Sequence, residues 1–185
     1  MLDLWGSDTS VVAPVFSGPV RVCVFGSRGW LPGSAPAALV ASFVASLPAG
    51  SVVVSGGCRG VDALASSAAF RCGLSVVSFP APWSVGLSAG PRRSAACLCS
   101  VGPVGFAGCA PVVCSVPASV WLPLRAGAAV PCPGPVRGVV APVVACVVFS
   151  SLSSRSRGSA GAVVAARRAG VPCWACSPAG VWSRP

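Results

Sequence analysis

The chain has 185 residues and a formal net charge of +10, set by 13 arginines, no lysine and three carboxylates, Asp3, Asp8 and Asp62. With 54% hydrophobic and 9% charged residues it lacks the signature of a disordered chain, and its length allows one sizeable core. Glu, His, Lys, Asn, Gln, Tyr and Ile are absent, which removes a histidine base, a lysine Schiff base, a glutamate acid and every histidine metal ligand.

Every absent residue type needs adenine at the first or second codon position, so arginine is the only strong cation this gene readily supplies. The apolar excess and the abundant Ser, Gly and Cys therefore reflect nucleotide supply as well as selection.

In chain order, residues 1–18 read as an N-terminal tail. VRVCVF at 20–25 is a β-branched run that stops at Gly26. The segment from Ser34 to Leu47 has helical spacing, with Val40, Phe43, Val44 and Leu47 on one face. Ser34 serves as its cap, Pro36 lies in its first turn, and Pro48 and Gly50 end it. SVVVS at 51–55 is a second strand, GGCRG at 56–60 a tight turn, Val61 to Cys72 a helix stopped by Gly73, and LSVVSF at 74–79 a third strand. Residues 84–99 suit a third helix. Residues 100–138, rich in Pro and Gly, read as an irregular insertion with Val runs at 112–116 and 118–122 of undecided state. Regularity returns with a strand at 143–149, a Ser- and Arg-rich loop at 150–157, a helix from about Gly158 to Ala169, and VPCWACS at 171–177. Residues 19–99 and 139–179 thus form two parts of one domain, and 180–185 a C-terminal tail. Continuous β-branched runs alternating with helices predict an α/β fold, a Rossmann-like three-layer sandwich whose mainly parallel sheet has about five strands.

A mean hydropathy of +0.82 raises the question of a membrane span. The uncharged run from Ser94 to Leu124 is interrupted by Pro103, Pro111, Pro117 and Pro123, and that from Gly138 to Ser154 is short and contains Pro142. Neither offers the roughly 20 consecutive apolar residues of a spanning helix. Asp3 and Asp8 stand where a secretory signal would be positive, so the expected location is cytoplasmic. The eleven cysteines are odd in number and irregular in spacing, which favours small buried hydrophobes over a disulfide scaffold. Cys173 and Cys176 form a C-x-x-C with no second ligand pair at zinc spacing, and neither a metal nor a cofactor is expected.

Ligands of open parallel sheets bind outside the carboxyl ends of the strands. Four loops there share glycine and arginine: Gly26-Ser27-Arg28-Gly29-Trp30; Ser55 to Gly60 with Cys58 and Arg59, followed by Asp62; Trp83 with Gly90, Arg92, Arg93 and Ser94; and Arg155, Arg157, Gly158 and Ser159. Glycine admits backbone N–H groups to an anion, a helix N-terminus adds partial positive charge, and a guanidinium fork matches phosphate oxygens. Together they predict a phosphate-binding rim. Arginine solvating loops and glycine ending strands is the plain alternative. Asp62 has two readings of equal weight, a carboxylate on the first turn of a helix or an acceptor for a ribose hydroxyl and candidate catalytic group. Trp30 and Trp83 could stack on a base or simply pack.

The blocks GSRGW, SGGCRGVDALA, FPAPWS, AGPRRSAAC and SRGSAGAVVAARRAGVP, in that order, resemble the YspA-related group of the SLOG superfamily, which is related to DNA-processing protein A and the Lonely Guy phosphoribohydrolases. The resemblance implies a Rossmann-like fold and a nucleotide or nucleotide-derived ligand. It places ligand contacts at Gly26, Ser27, Arg28, Gly56, Gly57, Gly60, Asp62, Gly90, Arg93, Gly158 and Ser159. Ser94 and Ser159 stand where the family usually has Asn and Thr, and a hydroxyl retains hydrogen-bonding capacity there. Arg59, Trp83, Ser94 and Arg157 complete the candidate set.

Two other functions follow from the same residues. N-glycosidic cleavage of a nucleotide, as in Lonely Guy proteins, would require Asp62 to replace a glutamate the chain lacks. Single-stranded DNA binding, as in DNA-processing relatives, is favoured by the charge and by Arg and Trp content. Homo-oligomerisation is a further expectation from the many apolar positions.

Overall fold

The computed structural model describes residues 11–81, 86, 89–98, 112–114, 145–150 and 157–185. It is an α/β protein in which β1 (Arg21–Gly26), β2 (Val52–Ser55), β3 (Ser75–Ser78), β4 (Val112–Cys114), β5 (Ala145–Phe149), β6 (Cys173–Cys176) and β7 (Trp182–Ser183) form one sheet in the order β4-β3-β2-β1-β5-β6-β7. β1, β2, β3, β5 and β6 pair in parallel, and β4 and β7 are antiparallel edges. The five expected strands are all present. The two added ones lie at Val112–Cys114, inside the stretch expected to be irregular, and in the expected C-terminal tail.

Strand periodicity explains the layers. Val22 and Val24 of β1 face one side with Val53, Val76, Ala145, Val147 and Phe149, while Cys23 and Phe25 face the other with Val54, Val77, Cys146 and Val148. The first side is covered by α1 (Ala35–Ala45) and α2 (Val61–Arg71), the second by α3 (Ala89–Leu98) and α4 (Arg157–Arg168). Burial on both faces is what the unbroken Val runs require. The chain steps outward from β1 to β3 with helices on one face and resumes beside β1 at β5 with helices on the other. The reversal lies between β1 and β5, where sheets of this kind bind ligands.

Local signals account for the helices. The Ser34 hydroxyl accepts from the Ala37 N–H at 3.3 Å, and Pro36 falls in the first turn of α1. At the end of α2, Gly73 adopts φ +69° and its N–H donates to the Phe70 carbonyl at 3.1 Å. Among the described residues no helix is long and apolar enough to cross a membrane.

Valine and alanine make up much of the core, and one aromatic cluster lies on the face covered by α1 and α2. Phe149 is fully buried, with Trp30, Phe43 and Trp182 ring centroids 6.0, 5.8 and 5.7 Å away. Trp30 is 8% exposed and packs edge-on to Phe149, so the plain packing reading holds for its ring. Phe149→Ala removes the residue common to these contacts. It should lower unfolding free energy by about 3–5 kcal/mol in chemical denaturation, with the denaturant slope little changed.

Candidate functional site

The first two glycine loops meet by backbone contact. The Ser27 N–H donates to the Phe149 carbonyl at 2.9 Å, and the Ser27 carbonyl accepts from the Val61 N–H at 3.0 Å. The Ser27 hydroxyl accepts from the Gly29 N–H at 3.2 Å. Ser27 thus ties β5, the β1–α1 loop and the start of α2 together. A Cβ on Gly26 would stand 2.6 Å from Val61 Cγ2. One on Gly60, where φ is +79°, would stand 2.6 Å from Arg28 Cα and closer still to the Ser27 carbonyl. Glycine at these two positions makes room for protein, and only that closeness lets α2 begin against the β1–α1 loop.

The third region reaches the same place from the opposite face of the sheet. Arg93 of α3 is 7% exposed and Asp62 of α2 3% exposed, and Arg93 Nη1 donates to Asp62 Oδ2 at 3.1 Å. The same carboxylate oxygen accepts from the Cys58 N–H at 3.2 Å, and Arg93 Nη1 lies 3.9 Å from Cys58 Sγ. The guanidinium lies against Gly56, where a Cβ would overlap it, and its carbon is 5.6 Å from the centre of the Phe25 ring. Arg93 therefore braces the Gly56–Cys58 turn from behind. Burial, the strongest influence on Asp62, lifts its carboxyl above 3.8 despite the attraction of Arg93. Burial also opposes the charge on Arg93, but Asp62 and the neighbouring thiols outweigh it and hold the guanidinium protonated.

Hydroxyls extend the network. Ser66 Oγ donates to the Asp62 carbonyl at 2.9 Å and lies 3.3 Å from Ser55 Oγ, which is 3.1 Å from Ser78 Oγ. One proton per hydroxyl fixes the order of donation from Ser78 to Ser55 to Ser66.

A cavity of about 1100 Å³ opens beside this assembly. Arg28, Gly57, Arg59 and Gly60 line its loop end, and Trp30, Ser78 and the facing small residues of α1 and α2 continue it. α2 starts at Gly60 with no side-chain cap, so its positive end belongs to this wall.

Of the sequence candidates, Gly26, Ser27, Arg28, Gly56, Gly57, Arg59, Gly60, Asp62 and Arg93 come together here. Ser94, 3% exposed, returns its hydroxyl to the Gly90 carbonyl at 3.2 Å within α3. Gly158 and Ser159 open α4 on the far face, and Arg157 is its first residue. Trp83 and Arg155 lie outside the described residues. The sequence reading missed Cys58 as a participant and the α1 and α2 small residues as cavity wall, because alanine and serine at helical spacing read only as packing. Cys173 and Cys176 sit on opposite faces of β6, and burial pushes Cys176 up to about 11. Among the described residues no three Cys or Asp side chains are grouped to hold a metal.

The strand order, the two helical layers and the loops at the carboxyl edge define a Rossmann-like α/β protein. Comparison with protein-family models, curated proteins and solved structures returns no match.

Two outcomes test this geometry. Gly60→Ala should destabilise the protein by roughly 1–3 kcal/mol and cost more than Gly73→Ala, whose φ of +69° faces open space, in parallel thermal melts. Because Asp62 holds its proton more tightly when folded, its contribution is fully present below 3.8 and is lost as pH rises through the raised folded-state value. The parent should therefore lose stability relative to Asp62→Asn on going from acid to neutral pH, measured as the difference in Tm at each pH.

Proposed function

We propose that this protein binds a nucleotide or nucleotide-derived ligand, with a phosphate group at the loops that follow β1 and β2. It would act as a sensor or processing module of the YspA-related SLOG type. The observation that carries this reading is the N-terminus of α2, which has no side-chain cap, in the wall of a cavity that Arg28 also lines. Backbone N–H groups and a helix dipole favour an anion there, and the Arg28 guanidinium of the β1–α1 loop matches phosphate oxygens. The position beside the β1/β5 reversal supports it further.

Binding is favoured over N-glycosidic hydrolysis by the state of Asp62. A general base or nucleophile must reach the substrate, and this carboxylate is buried, paired with Arg93 and bonded to a backbone N–H.

A thermal-shift panel of AMP, GMP, ADP-ribose, NAD, cyclic nucleotides and a short single-stranded oligonucleotide tests the proposal. A nucleotide present at about 100 times its Kd should add about 2.7 kcal/mol of stability, and Arg28→Ala should abolish the gain. Response to the oligonucleotide alone, removed by salt, would replace this reading with DNA binding.

A further inference from the structure

Among the described residues the charged side chains that line the cavity are all of one sign. They are Arg28, Arg59 and Arg71, with no carboxylate. In nucleotide-binding sheets of this topology a residue beyond the second strand selects the sugar. A carboxylate there accepts hydrogen bonds from free ribose hydroxyls, whereas an arginine accommodates a phosphate esterified to the ribose. Here β2 ends at Ser55, and the loop that follows carries Arg59, exposed, into the cavity lining.

Asp62 is the one acid among the described residues. It is buried in the ion pair with Arg93, and the Cys58 N–H occupies the same oxygen. Among the described residues, a ribose diol brought to this wall would find cations and no carboxylate to take its protons. A phosphate there would instead meet a guanidinium that already stands in solvent, so pairing adds charge-assisted hydrogen bonds without burying the arginine anew.

Resting on the nucleotide reading above, we infer that the ligand carries a second phosphate on its ribose, held by Arg59, in addition to the phosphate at the start of α2. The chemical class is a nucleoside bisphosphate with its phosphate groups at separate positions of the sugar.

Calorimetric titration with AMP, GMP and their 3′,5′- and 2′,5′-bisphosphate counterparts tests this on the parent, Arg59→Ala, Arg59→Lys and Arg167→Ala. Arg167 is an exposed residue on the last turn of α4 and controls for loss of one positive charge. A bisphosphate should bind the parent about tenfold or more tighter than its monophosphate. That advantage should vanish in Arg59→Ala, fall partway in Arg59→Lys, which keeps charge without the fork, and persist in Arg167→Ala. Equal affinity for mono- and bisphosphates overturns the inference and leaves the nucleotide reading standing. An advantage lost equally in Arg167→Ala assigns it to net charge and overturns the inference as well. No binding by any member of the panel overturns both.

Discussion

The buried ion pair between Asp62 and Arg93 joins the two helical layers at the carboxyl edge of the sheet. Asp62 belongs to α2 on one face and Arg93 to α3 on the other, and they meet over Gly56 beside Phe25. Desolvating two charges is costly, and removing one partner leaves the other stranded in a poorly solvated place. The pair is therefore better understood as a specificity device than as a source of stability. It fixes the Gly56–Cys58 turn by bonding its backbone through Asp62 and pressing on it through Arg93, and that turn delivers Gly60 to the start of α2.

The same edge shows why glycine recurs there. Gly26 and Gly60 let the β1–α1 loop touch the β2–α2 loop with no side chain between, and Gly56 leaves space for the arginine plane. These contacts are internal. They build a rigid rim whose outward parts, Arg28, Gly57 and Arg59, line the cavity. A site on loops holds its geometry only when those loops are supported from behind, and here the support comes from three elements at once: the end of β5, α2 and α3.

The sequence made the parallel sheet legible because its strands are uninterrupted Val-rich runs and its helices carry end signals such as Ser34, Pro36 and Gly73. Val112–Cys114 and Trp182–Ser183 escaped because two or three residues hold no measurable period, and antiparallel edge pairing depends on neighbours far away in sequence. At the site, the glycine and arginine positions were readable but their roles were not. A glycine that admits a neighbouring loop and one that admits a ligand look identical in sequence. Arg93 read as a ligand contact because its partner lies 31 residues away. For Trp30 the sequence left base stacking and packing both open, because Phe149, the ring it meets at 6.0 Å, lies far along the chain on β5.

Charge alone would make this molecule a weak partner for any polyanion, since 13 arginines face three carboxylates. That attraction is long-range, salt-sensitive and indifferent to ligand shape. What distinguishes the α2 cavity is that two of its cations, Arg28 and Arg59, belong to loops beside a helix N-terminus, while Arg93, just as charged, is withdrawn into an ion pair with Asp62. A gene that readily encodes only one strong cation still assigns it two different tasks, and burial decides which. An arginine facing a buried carboxylate organises the rim, and an exposed arginine on that rim lines the cavity.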